Sequence, residues 1–328
     1  MEINTSHKKA IKMLEATVGI ESNTRRLLPE FPLPIKVESL LTDFQDIKEI
    51  PYSAELDGYI SIEEDASHEA SLKFSIEKVA FKGPFIRLSE ETSDPRFTLW
   101  GNQGFLFRYL LYLLEKKHKI FNFHGCALYQ NLKNRIYLII GGAGSGKTVY
   151  LLSGLALGLE LFSTEIIHYR VENRDITWFM GSLVDNVRAG TLRHNFPQFM
   201  IDLELTHIKN EWQKKIAIDL SAYKSKKECI TNPEVVIIFP RIEEGRNGFL
   251  FTPMINKKKI TKLLFDNISQ KLTETVILYD TIPLLGFDDQ IMALSRLNSV
   301  VKLVNHENLK KVASVLSNPY ECWGDILE

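Results

Sequence analysis

The run GGAGSGKT at positions 141–148 is where residue types and spacing speak most directly of chemistry. It fits G-x-x-x-x-G-K-[ST], the pattern of a loop that cradles nucleoside triphosphate phosphates. Gly141, Gly142, Gly144 and Gly146 permit backbone angles closed to other residues. Successive N–H groups, those of Ala143 and Ser145 included, can then turn inward around an anion. The positive end of a following helix would point at the same charge. Lys147 would reach the outer phosphates, and the Thr148 hydroxyl would ligate Mg²⁺. The expected cofactors are therefore ATP, or another nucleoside triphosphate, and Mg²⁺.

Three residues outside the loop suit the same chemistry. Glu165 ends the strand-like run LELFSTE, eighteen residues after Lys147. One helix and one returning strand would bring that carboxylate beside the phosphates as a second metal ligand with Thr148. His124 ends the strand before the loop strand, where an imidazole can approach the transferred phosphate. Arg241 follows an apolar strand and Pro240, and an arginine at a strand exit can clamp phosphate oxygens. Lys147, Glu165, His124 and Arg241 are the expected catalytic set.

These residues need elements to hold them. The apolar runs 121–129 and 136–140 flank the polar turn 131–133 and predict a β-hairpin that leads into the loop, with a helix over 149–157. Strands are expected at 160–168, 175–179, 215–220, 234–239 and 248–252, and helices at 104–117, 182–192, 255–269 and 288–305. Upstream, residues 1–20 place Ile11, Leu14 and Val18 at helical spacing, and a proline-containing stretch at 28–34 breaks the pattern. Short strands are expected from about 38 to 88. The clearest is 71–81, where Leu72, Phe74 and Ile76 alternate before a phase shift to Val79 and Phe81. Hairpin-like strands around the loop predict a mixed α/β core rather than a regular alternation of strand and helix. The expected division is an N-terminal α+β region at 1–103 and a nucleotide-binding domain at 104–328.

The unit HGCALY at 124–129, the short hairpin, the loop, and Gly158 before ELFSTE together resemble HPr kinase/phosphorylase and its relatives, which share a fold with phosphoenolpyruvate carboxykinase. The segment IIFPRIEEGRNGFLFTPM at 237–254 resembles the Phe-Pro-Arg strand exit of such proteins. The resemblance spans roughly 122–266 and implies a mixed β-sheet P-loop core of that type behind a β-rich N-terminal region. It gives Gly141, Gly146, Lys147 and Thr148 the nucleotide and metal roles, Glu165 the second acid and His124 the active-site histidine. The first acid, which serves those enzymes as base toward the acceptor hydroxyl, falls on Thr164, which has no useful basicity at neutral pH. The downstream HPr kinase signature is missing, which argues against HPr as the acceptor.

The implied activity is transfer of a terminal phosphate to a serine-like hydroxyl of a small molecule or peptide. Thr164 keeps a second reading open, nucleotide binding without transfer. A third, a conventional P-loop NTPase, would draw its acid from Asp219 or Asp280, each ending an apolar run. Net charge is −1, so no global charge calls for nucleic acid or an anionic membrane. The scattered tryptophans (Trp100, Trp178, Trp212, Trp323) form no stacking stripe, and short lysine clusters at 224–227 and 257–259 read as solvated loops. The three cysteines show no C-x-x-C spacing, and the first twenty residues contain no long apolar core, so the expected setting is the cytoplasm. The segment 104–114 is apolar but short and contains Arg108, which predicts a buried helix rather than a membrane span. Assembly as a homo-oligomer is left open by the sequence.

Overall fold

The computed structural model describes residues 6–28, 47–75, 77–200, 209–243, 245 and 247–327, and these form two compact units. The proline-containing stretch at 28–34, apart from Leu28, and the start of the strand-rich region near 38 lie outside the described residues.

The first unit takes the described residues of 6–28, 47–119 and 271–292. Its strands are β1 (His7–Met13), β2 (Ala16–Ser22), β3 (Lys48–Ile50), β4 (Gly58–Glu64), β5 (Ser71–Phe74) and β6 (Lys78–Gly83), in the sheet order β3-β1-β2-β4-β6-β5. Residues 7–22 are thus a β-hairpin, not the helix that their spacing suggested. Ile11 faces Val18 across the ladder, and Leu14 takes φ 51° in the two-residue turn. The phase shift after Phe74 is likewise a turn, since β5 and β6 pair antiparallel; Ile76 lies outside the described residues. Helices α1 (Phe85–Glu91) and α2 (Phe105–His118) follow. All of 105–115 on α2 is buried, including Arg108, whose guanidinium donates to the Lys271 carbonyl at 2.6 Å and to Glu274 Oε2 at 3.0 Å. That satisfaction is what lets an arginine sit inside an apolar helix.

The second unit takes the described residues of 120–270 and 293–327. It contains β7 (Ile120–Gln130), β8 (Arg135–Ile140), α3 (Lys147–Ala156), β9 (Glu160–Ser163), β10 (Ile166–Glu172), β11 (Asp175–Phe179), β12 (Val184–Arg188), β13 (Lys215–Asp219), β14 (Cys229–Thr231), β15 (Glu234–Ile242), β16 (Leu250–Pro253) and α4 (Lys257–Thr273). The strands β17 (Val276–Leu278) and β18 (Ile282–Leu284) belong to the first unit, and α5 (Gln290–Asn305) and β19 (Leu309–Ser317) complete the chain. The main sheet runs β14-β11-β10-β7-β8-β15-β19-β16, with β9 also on β7. It is mixed: β15 is parallel to both β8 and β19, while β7 is antiparallel to β8, β9 and β10. The fold is accordingly mixed α/β.

The central strands are apolar on both sides because both faces are covered. Cys126, Leu128, Tyr137, Ile139, Val236 and Ile238 join Tyr150, Leu151 and Leu155 of α3 in one core. Their neighbours Ala127, Tyr129, Ile136, Leu138, Val235 and Ile237 join Ile260, Leu264 and Ile268 of α4 in the other. Two expectations change here. The stretch 160–168 is two strands with a step at Thr164 and Glu165, and 182–192 is strand β12 followed by a helical turn at Thr191–Asn195. β12 is extended because it pairs residue for residue with β13, from Val184↔Asp219 to Arg188↔Lys215.

Candidate functional site

The buried strand β8 ends at Ile140, and the chain turns through 141–146 into α3. Gly144 and Gly146 take φ of 77° and 100°, the left-handed region that glycine enters without strain. A methyl group at Gly146 would also run into the Ile242 side chain at the end of β15. Lys147 Nζ donates back to the Gly141 and Gly142 carbonyls at 2.8 and 3.1 Å, spanning the mouth of the loop. The Ser145 hydroxyl oxygen is buried with no hydrogen-bond partner among the described residues.

The carboxylate beside this loop is Asp185, a residue that the sequence reading passed over. It sits on β12, is 1% exposed, and shares a hydrogen bond with the Thr148 side chain. Its Oδ2 is buried without a partner among the described residues. Burial and the nearby charge of Glu165 push the Asp185 carboxyl well above the usual carboxylate range. The Asn186 N–H, the Thr148 hydroxyl and the Lys215 ammonium act in the opposite direction. Two carboxylates thus interact beside the loop threonine, and one of their oxygens, Asp185 Oδ2, is left bare. The donor set of Thr148, Asp185 and Glu165 is hard oxygen throughout, which suits Mg²⁺.

Glu165 is presented by the step between β9 and β10, where its carbonyl accepts from the Gly125 N–H at 3.0 Å. Its carboxylate lies 3.6 Å from His124 Nε2. The Asn267 side-chain amide on α4 holds the His124 backbone, and His124 Nδ1 is 3.3 Å from Gln270 Oε1. Thr164, next to Glu165, faces inward. Its hydroxyl lies within hydrogen-bond reach of the Ser182 and Val184 carbonyls, at 3.0 and 2.7 Å. The position where the resemblance expects a base is therefore a structural tie between the β9–β10 step and the segment that enters β12. Cys126 lies under the loop with its thiol directed at the Lys147 carbonyl at 3.6 Å, and burial pushes that thiol far up from its ordinary range.

Arg241 is 75% exposed and pairs with Glu243 at 3.2 Å. It stands between Pro240, close to Gly141, and Ile242, close to Gly146, so β15 brings it to the loop's rim rather than into its mouth. The acids of the NTPase reading are engaged elsewhere. Asp219 is exposed and accepts from the Ser221 N–H, and Asp280 lies in the first unit, where it accepts from Ser93. Arg188 donates to the Trp212 carbonyl and Arg193 pairs with Glu211 at 2.5 Å. Asp185 was missed because 182–192 read as a helix. The signal that could have found it is the isolated strand 215–219, which needed an antiparallel partner.

No protein-family model matches the chain, and no curated protein matches it. Among solved structures, the chain is similar to the HPr(Ser) kinase/phosphatase from Coxiella burnetii, at 14% identity and a TM-score of 0.23, over 56% of this chain and 96% of that one. An HPr kinase/phosphatase is thus among its structural neighbours, but a likeness this distant carries neither residue roles nor activity across. Among the described residues no helix is long and apolar enough to cross a membrane.

Proposed function

We propose that this protein transfers the terminal phosphate of a Mg²⁺-bound nucleoside triphosphate, ATP in the first instance, to a hydroxyl of a small molecule or peptide. The observation that carries this reading is Asp185: a buried carboxylate with one bare oxygen, crowded by Glu165 and bonded to the loop's own threonine. The 141–146 turn and the N-terminal amides of α3 would hold the phosphates, and Lys147 would leave the Gly141 and Gly142 carbonyls for them. Thr148, Asp185 and Glu165 would hold Mg²⁺, which would offset the negative charge of the phosphates. The acceptor oxygen forms the new bond to phosphorus as the old phosphoanhydride bond breaks, and its proton leaves to His124 or Glu165. Arg241, exposed at the rim, would meet the outer phosphate oxygens on exchanging its Glu243 partner for them.

A second reading, nucleotide binding without transfer, draws support from Thr164, whose hydroxyl is tied to the Ser182 and Val184 carbonyls and offers no base. One experiment separates the two. The wild type, Lys147→Ala and Glu165→Gln are titrated with Mg²⁺-ATP by calorimetry, then incubated with radiolabelled ATP and a panel of serine-containing peptides and small alcohols. Transfer by the wild type is expected, with binding weakened in Lys147→Ala and transfer lost but binding kept in Glu165→Gln. Binding without transfer to any acceptor establishes the second reading, and unchanged binding in Lys147→Ala overturns the phosphate-loop assignment.

A further inference from the structure

Where the chain leaves β8 for the loop it stops pairing with β7, and a side chain fills the first vacated ladder position. Along β7 the last residue paired with β8 is Gly125, opposite Ile140. The next position on β7 is His124, and the residue that would face it is Gly141, where the chain leaves the sheet to form the loop. A strand residue that loses its neighbour is left with a bare N–H and C=O. Here the Asn267 amide takes both: its Oδ1 accepts from the His124 N–H at 2.9 Å, and its Nδ2 donates to the His124 carbonyl at 3.0 Å. The two bonds fix the amide's orientation, because a backbone N–H can only donate and a carbonyl only accept.

The helix that carries Asn267 is itself anchored. α4 buries Ile260, Leu264 and Ile268 at four-residue spacing against the sheet. Asn267 precedes Ile268 and so inherits a rigid base. On the opposite edge of β7, His124 is aligned with Ile166, one residue past Glu165. The residue whose imidazole stands 3.6 Å from Glu165 thus has its backbone tied to Asn267 on one edge, and the neighbouring Gly125 N–H is bonded to the Glu165 carbonyl on the other.

We infer that Asn267 is a positioning residue: its amide replaces the strand partner that the phosphate loop removes, and so sets the His124 imidazole against Glu165. This inference rests on the phosphotransfer reading for its effect on turnover, but not for its effect on the ring. The perturbation is Asn267→Leu, which keeps the size and removes both polar atoms. Asn267→Asp keeps the acceptor, loses the donor, and serves if the leucine variant does not fold.

Two readouts apply to the full chain. In the first, the carbon-attached proton signals of the His124 ring are assigned by their loss in His124→Ala, and their displacement by Glu165→Gln is measured. That displacement should be clear in the wild type and largely abolished in Asn267→Leu. In the second, phosphate release from Mg²⁺-ATP is followed in a double-mutant cycle. Asn267→Leu should lower kcat about tenfold with KM for ATP unchanged, since a misplaced catalytic group costs rate more than binding. In a His124→Ala background it should cost nothing further, whereas damage to the fold would cost the same in both. A ring signal that responds to Glu165→Gln equally with and without Asn267 overturns the inference, as does an additive cycle. If the wild type releases no phosphate, the phosphotransfer reading stands or falls by the acceptor panel, while the ring signal still decides the role of Asn267.

Discussion

Replacing Asp185 by Asn should make the ligand-free protein more stable and the Mg²⁺-nucleotide complex less so. Asp185 is 1% exposed, its Oδ2 has no partner among the described residues, and Glu165 adds repulsion. Asparagine keeps the shape and retains a side-chain oxygen for the Thr148 bond, but removes the charge. Replacing buried charged groups by uncharged ones of similar volume ranges from neutral to stabilising by about 1–4 kcal/mol. The Asn186 N–H, Thr148 hydroxyl and Lys215 ammonium already offset part of the cost, so about 2 kcal/mol is expected at pH 8. At roughly 2–4 °C per kcal/mol, the melting temperature should rise by about 4–8 °C.

The sign of the pH dependence follows from the raised carboxyl. Above the ordinary aspartate range, near 3.8, the folded protein retains a proton that the unfolded chain has released. Fewer protons on the unfolded state means stability falls as pH rises. The advantage of Asp185→Asn should therefore be small near pH 4 and grow toward pH 8. Adding Mg²⁺-ATP should reverse the ranking, because ligand at about 100 times its dissociation constant stabilises the wild type by about 2.7 kcal/mol. The variant, short of one metal ligand, should gain less. Thermal melts at pH 4, 6 and 8, with and without Mg²⁺-ATP, test this. A wild type more stable than the variant at pH 8 without ligand would refute the account of the buried carboxyl, and an equal response to Mg²⁺-ATP would refute its place among the metal ligands.

Thr164→Asp, which the family pattern would call a restoration, should instead destabilise by about 2–3 kcal/mol and leave turnover no higher, since it turns a carboxylate toward the Ser182 and Val184 carbonyls. Chemical denaturation and the transfer assay check both halves. Gly146→Ala should lose nucleotide affinity in calorimetry and about 1–3 kcal/mol of stability, from the φ of 100° and the clash with Ile242. A second change, Ile242→Ala, should recover the packing part of that loss but not the backbone part.

What the sequence disclosed depended on how local its determinants were. The turn into α3 was legible because glycines stand at the offsets where the backbone goes left-handed, and the hairpin ahead of it because two apolar runs flank one polar turn. Residues 7–22 misled because Ile11, Leu14 and Val18 satisfy a helical spacing as well as a hairpin with its turn at Leu14; only the pairing of Ile11 with Val18 decides. Asp185 was hidden for a related reason. Its strand is five residues long, and its conformation is set by β13, whose nearest residue in the pairing, Lys215, lies beyond the whole of 189–214. The inward turn of Thr164 depends on the Ser182 and Val184 carbonyls, eighteen and twenty residues away. Such determinants leave no periodic trace.

The site's parts converge because two breaks in strand pairing share one place on β7. β8 leaves the sheet after Ile140, opposite Gly125, to make the loop. On the other edge, β9 ends at Ser163 and β10 begins at Ile166, and the step between them hydrogen-bonds to the same Gly125 through the Glu165 carbonyl. A Cβ at Gly125 would come within 2.6 Å of the Ile139 carbonyl oxygen, so only glycine fits where these chains crowd together. His124 is its immediate neighbour and receives the Asn267 amide in place of the departed strand. A break in a sheet ordinarily leaves polar backbone bare. Placing both breaks side by side on β7 brings the glycine-rich loop, an acid and an imidazole to one end of the β7–β8 ladder. The sequence His-Gly at 124–125 is thus the hinge of the architecture, and the loop motif alone would not have assembled a site.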